Sequence, residues 1–207
     1  MLTPARIALI VAAGALVAPA SGAGVVHASR PRARYDAALA ALRHTKSFHF
    51  TERIAITSPA KHIVRSDVRF SAPNRIRMLV QALAPPPRAA LASVQVGRIT
   101  CQQPPGTCYR GARADPTQTI RMLVQPRAAV SYRIRAGASG TEVITLRTAL
   151  GGIRYFGRLT IRSDGLPQKF ASTVARGGTV VAVQRGTFTY GGRYTITLPP
   201  QGLKLRR

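Results

Sequence analysis

Carboxylates are scarce in this chain of 207 residues: six acidic side chains stand against 31 lysines and arginines, with only two cysteines and four histidines. Each scarcity removes a class of chemistry. The six acids are Asp36, Glu52, Asp67, Asp115, Glu142 and Asp164. Asp115 precedes Pro116 as a helix N-cap would, and Asp164 precedes Gly165 as in a hairpin turn. His44, His49 and His62 show no metal-ligand spacing. Ser58-Pro-Ala-Lys61 matches a Ser-x-x-Lys pattern, but it falls in a turn and no Lys-Thr-Gly accompanies it. There is no Gly-x-Ser-x-Gly elbow and no phosphate-binding glycine loop. No catalytic residue, metal ligand or cofactor is assigned, and the expectation is a protein that is not an enzyme.

Cys101 and Cys108 are close together, separated by Pro104-Pro105-Gly106, which turns the chain. Without a second Cys or His pair a zinc site is not expected. A disulfide is expected if the compartment is oxidising, and two free thiols are the other reading.

Long apolar runs are also missing. The longest at the start of the chain, Ile7 to Val17, is shorter than the roughly 20 residues needed to span a bilayer. Arg6 precedes it, Pro19 breaks it, and small-residue cleavage candidates end at Ala23 and Ala28. Residues 1–28 therefore read as a secretory signal peptide. An uncleaved anchor is the alternative, since Arg30, Arg32 and Arg34 lie just beyond, and such charge tends to stay on the cytoplasmic side. No cysteine stands near the cleavage candidates, so no lipid anchor is expected. The expectation is an exported protein of the periplasm, cell envelope or medium. It has one domain over 29–207, opened by a basic linker at about 29–34.

What the chain has in excess is arginine: 27 of the 31 basic residues, with a formal net charge of +25. Such a surface favours anionic partners, lipid headgroups and wall polymers among them. A GC-rich genome or an acidic medium accounts for the same bias. Nucleic acid is not expected, because there is neither a basic helix nor a base-stacking motif.

The mature chain alternates. After one helix near 35–45, with Ala38, Leu39, Ala41 and Leu42 as its apolar stripe, the period switches from helical to two. Phe48, Phe50 and Ile54 share a face, followed by Met78 and Val80. Tyr132 and Ile134, then Tyr155, Leu159 and Ile161, then Phe170, and finally Tyr194 and Ile196 continue it. Arg53, Arg65, Arg77, Arg133, Arg158 and their neighbours take the other face. The hexamer Ile-Arg-Met-Leu-Val-Gln occurs at 76–81 as strand and at 120–125 as helix, because Asp115-Pro116 starts a helix only before the second copy. About ten strands at about 4.8 Å spacing would make an open sheet about 48 Å wide. Two helices, each about 15 Å long and 10 Å across, cannot cover it. The sheet must close or curl, and the thirteen inward residues named above are the expected lining of an apolar cavity that binds a ligand. A fully packed core is the alternative. Glu52 falls on the inward face, either to contact a ligand headgroup or at a wet strand end, and the strand end is the expectation.

The order of elements carries a resemblance. An N-terminal helix ends in Lys46-Ser47-Phe48, and Ala72-Pro73-Asn74-Arg75-Ile76-Arg77 opens an early strand. A helix is inserted midway, Asp164-Gly165-Leu166-Pro167 makes a late hairpin, and Ile196-Thr197-Leu198-Pro199 closes the pattern. Over about 35–200 the chain resembles the LolA/LppX-type periplasmic lipoprotein and lipid carriers. That resemblance implies an α+β, mainly β fold: a curved antiparallel sheet, or half-barrel, with two short helices packed on its concave face. It implies a lipid or acylated lipoprotein as partner, held by its acyl chain, with an anionic membrane surface as a further partner and a monomeric state. Envelope regulators that sense lipoproteins or lipopolysaccharide share the fold and are the alternative function, as is a cationic surface module that binds polyanions.

Overall fold

The computed structural model describes residues 30–58, 61–83, 91–103, 106–124 and 131–199, and the backbone of 205–206. Residues 1–28, expected to be a signal peptide, and the expected Pro85-Pro86-Pro87 break lie outside these residues.

The strands are β1 (Ser47–Ile56), β2 (His62–Ser71), β3 (Arg75–Ala82), β4 (Leu91–Val96), β5 (Ile99–Gln103), β6 (Thr107–Arg110), β7 (Ser131–Ala136), β8 (Glu142–Leu150), β9 (Ile153–Ile161), β10 (Pro167–Arg176), β11 (Thr179–Tyr190) and β12 (Leu205–Arg206). They form one sheet in the order β12-β6-β5-β4-β3-β2-β1-β11-β10-β9-β8-β7. The first eleven pair antiparallel throughout, and β12 adds in parallel to β6. The sheet therefore consists of two meanders that meet where β1 pairs with β11. It does not close: β7 ends one side and β12, next to β6, ends the other.

Helices α1 (Arg30–Ala41) and α2 (Pro116–Val124) are joined to one core with this sheet. Leu39 and Leu42 meet Ile120 and Val124 there, with Phe48, Phe50, Val68, Phe70, Ile144, Leu146, Leu159, Ile161, Phe170 and Phe188 beneath. Strands from β3 across to β7 contribute to it, a width of about 34 Å if flat. Gathering that width around two helices about 10 Å across requires the sheet to curl toward them. Helix α2 lies between β6 and β7 in sequence, so it carries the chain from one open side to the other.

Several expectations are corrected. Helix α1 starts at Arg30, so residues 30–34 are helical rather than linker, and it ends at Ala41 in a short 3-10 turn, Leu42–His44. Helix α1 buries Tyr35, Ala38 and Leu39. Strands β4, β5 and β6 were missing from the alternation, because their apolar side is the reverse one. Register places Ile99, Cys101 and Val94 on the face opposite Met78 and Phe70, while Thr100 and Gln95 take the face that Met78 and Phe70 share. Cys101 and Cys108 face each other directly across β5 and β6, bonded at 2.03 Å.

Residues 191–199 are not a strand. They cross the convex side. Tyr194 lies edge-on to His49, 6.1 Å between ring centroids, with the Arg69 guanidinium 5.9 Å from its ring, and Arg75 Nη1 donates to the Ile196 carbonyl at 3.2 Å. Tyr194 and Ile196 are thus placed outside the concave layer. Their alternation imitates a strand, but the tail packs on the convex side over β1–β3, where Ile196 is buried.

Candidate functional site

Alternation along β1 carries Phe48, Phe50 and Glu52 to the concave side, so a carboxylate enters an aromatic layer. Glu52 is only 2% exposed, mid-strand, and not at a wet rim as expected. Register explains how it is tolerated. Gln184 of β11 lies one row away, opposite Ile54 and Ser172. Its amide nitrogen donates to Glu52 Oε1 and, at 2.7 Å, to the Leu123 carbonyl. Its amide oxygen accepts from Ser172 Oγ at 2.6 Å. Tyr155 donates its hydroxyl to the Val124 carbonyl at 3.1 Å. The last carbonyls of a helix have no partners within it. Here two of them are met by side chains of the sheet, which fixes where α2 lies on the concave face.

Burial raises the Glu52 carboxyl above the ordinary carboxylate range, with the Gln184 hydrogen bond opposing it in part. Burial likewise pushes up the phenols of Tyr155 and Tyr35. Tyr35 packs on Tyr132 at 5.6 Å between ring centroids. The Tyr35 hydroxyl is buried with no hydrogen-bond partner among the described residues, while buried Ser66, directly opposite Glu52 on β2, adds a second polar neighbour to that carboxyl. The concave layer is therefore apolar with a polar strip running from Glu52 through Gln184 and Tyr155 to Tyr35.

The scarce acids are concentrated at the attachments of the helices. Asp36 of α1 takes Arg121 of α2 at 2.8 Å, and Arg34 of α1 pairs with Glu142 of β8. Asp115 caps α2, accepting from the Thr117 amide at 2.9 Å, while Arg43 Nε donates to it at 3.0 Å. The Arg43 hydrogen bond and charge hold the Asp115 carboxyl below its usual range. Thr117 Oγ1 donates to the Leu39 carbonyl at 2.9 Å, joining the two helices. No group of three or more His, Cys, Asp or Glu side chains that could hold a metal ion occurs among the described residues.

No family model and no curated protein matches the chain. Among solved structures it is similar to a LolA superfamily protein from Nitrosomonas europaea, at 10% identity and a TM-score of 0.32, over 77% of this chain and 91% of that one. The fold stated above rests on strand order and register.

Of the residues expected to line a cavity, Phe48, Phe50, Leu159, Ile161 and Phe170 are fully buried against one another and the helices. Met78, Tyr132, Ile134 and Tyr155 are half-buried around them. Ile54 and Val80 are half-buried farther along their strands. Two open grooves border this layer. One, of about 870 Å³, runs between Arg34 and Ala37 of α1 and Ile134, Gly137 and Glu142. The other, of about 500 Å³, lies at the sheet's end mainly on the convex side, lined by Arg147, Arg154, Phe156 and Ala175, with Tyr155 at its edge. Sequence reasoning missed Gln184, Ser172 and Tyr35. Gln184 was accessible by counting back in twos from Phe188 through Gly186. Tyr35 precedes Ala38 and Leu39 by one helical turn.

Proposed function

We propose that this protein binds or carries a lipid, or the acyl chain of a lipoprotein, outside the cytoplasm. One observation supports this reading most directly. The apolar concave face of an open sheet is covered by two short helices instead of by a second sheet or by its own closure. Side chains fill that layer, so an acyl chain enters by taking the place of helix surface. The exchange is energetically reasonable. Helix α2 buries Ile120 and Val124, each about 1.5–3 kcal/mol of apolar burial, while ten methylenes bring about 8 kcal/mol at about 0.8 each. The apolar burial lost with Ile120 and Val124 is thus of the size that an acyl chain restores.

On this reading the half-buried Met78, Tyr132, Ile134 and Tyr155 meet the chain first, and the unpartnered Tyr35 hydroxyl is available to a polar end. The disulfide belongs with an oxidising compartment. Export through residues 1–28, their removal, and a monomeric state are parts of the same proposal. Native mass spectrometry of protein purified from its own host tests it: a lipid-sized mass is expected to travel with the protein. Displacement of a fluorescent fatty acid provides the second measurement. Affinity is expected to rise with chain length and to depend little on salt, and a folded protein that binds no fatty acid of any length would overturn the reading.

A further inference from the structure

The convex face carries a row of arginines that the alternation alone does not reveal. Register places Arg133 of β7, Thr145 of β8, Arg158 of β9, Ala171 of β10, Arg185 of β11, Arg53 of β1 and Arg65 of β2 directly opposite one another in succession. All five arginines are exposed. Six interstrand steps separate the first from the last, roughly 29 Å. Arg185, Arg53 and Arg65 are consecutive, and like charges directly opposite on a sheet destabilise it.

Nothing within the described residues neutralises this row. Five of the six carboxylates are in ion pairs with other partners and the sixth, Glu52, is buried on the other face. Asp67 is the carboxylate on the neighbouring convex row, and it is taken by His49 at 2.7 Å and Arg69 at 3.2 Å. Five guanidiniums in one line, each with free donor capacity, match an anion that repeats along a line. Arginine is the side chain best shaped to grip phosphate oxygens. The row also runs across the strands, the direction in which the sheet curls. A flexible chain can follow it around the convex surface, whereas a flat lipid surface reaches only part of it.

We propose that this row is a docking track for a flexible linear polyanion bearing phosphate groups. The track is on the face opposite the apolar layer and stands independently of the lipid reading. Its test uses the full chain and inorganic polyphosphate of defined length, with binding followed across a range of salt. The variant R53Q/R65Q/R185Q is compared with R98Q/R110Q/R113Q, three exposed arginines elsewhere, so that both lose the same charge. The row variant is expected to bind at least about tenfold more weakly at 0.1 M salt or so, with the slope of log K against log salt reduced by about three, one for each arginine. The off-row variant is expected to change by less than about twofold. Arg53→Gln alone carries about one third of the slope change, which keeps the test in force if the triple variant fails to fold. Equal losses in the two triple variants would show net charge alone and overturn the track. So would absence of polyphosphate binding by the unmodified protein. Loss confined to anionic phosphatidylglycerol vesicles, with polyphosphate binding retained, would make the face a membrane surface instead.

Discussion

Across the middle of the sheet the concave face holds Phe50, Leu159, Phe170 and Phe188, where the convex face holds Arg53, Arg158, Ala171 and Arg185. Both sets come from the same strands, an odd number of residues apart and so on opposite faces. The concave set is almost wholly excluded from water, and its side chains fit each other and the helices. The convex set touches water, and the fold makes little use of it. Conformational demand thus falls on one face, while the charge on the other is free to serve association. The contrast is sharpest at β11, where Gln184, Gly186 and Phe188 alternate with Arg185 and Thr187.

The largest expected effect breaks the contrast at its apolar end. Phe50→Ala empties a site beneath Phe188, whose ring centroid lies 4.5 Å away, and should cost about 3–5 kcal/mol in urea unfolding. Arg158→Ala on the other face should stay within about 0.5 kcal/mol. Comparable losses at the two positions would mean that the convex row is part of the fold's support.

Gly186→Ala comes next. A Cβ there would meet the Phe50 ring at 2.5 Å, so the ring must shift within a filled layer. Overpacking of this kind costs about 1–3 kcal/mol. Arg185→Ala, its convex neighbour, should be close to neutral, and a chemical denaturation series on the two variants checks the difference.

Asp115→Ala tests the helical cover. It removes the cap of α2 and should cost about 1 kcal/mol. The Asp115 carboxyl is held below its usual range, so its contribution is complete above the ordinary carboxylate range and is lost as pH falls through the lowered folded value. Acid unfolding of the Asp115 variant should accordingly be less steep than that of the unmodified protein.

Glu52→Gln gives the smallest change and the opposite sign. Its carboxyl is raised in the folded state, so its stabilising contribution is full below the unfolded value and is lost as pH rises through the folded one. An amide oxygen can still accept from Gln184. The variant should therefore gain stability near neutral pH and lose that pH slope, measured by thermal unfolding between acid and neutral buffer. A loss at neutral pH would show that the ionised carboxylate is needed beneath α2.

The alternation of Phe48, Phe50, Leu159, Ile161 and Phe170 with arginines made the concave layer legible in advance, and the Asp115-Pro116 signal separated the two copies of the hexamer. The β4–β6 flank escaped because its apolar face is reversed: Val94, Ile99 and Cys101 break the phase set by Ile76 and Met78. A period-two rule has no way to register such a reversal without knowing what covers each face. Tyr194 and Ile196 misled for the related reason that an extended tail and a strand share a period. Glu52 misled because mid-strand burial of a carboxylate depends on a partner 132 residues away in sequence.

By itself the sequence determined which residues of β1–β3 and β7–β10 share a face, where helices interrupt the strands, and how little acid there is to offset the arginine. These follow from local geometry, a period of two in strands and capping chemistry at helix ends. Only the tertiary structure decided that β1 pairs with β11, that Gln184 therefore meets Glu52 beneath α2, and that arginines from five strands fall in one line. Those relations depend on register between distant segments, and register is fixed when the concave layer packs around the two helices, since a slip of one residue would turn every apolar side chain toward water.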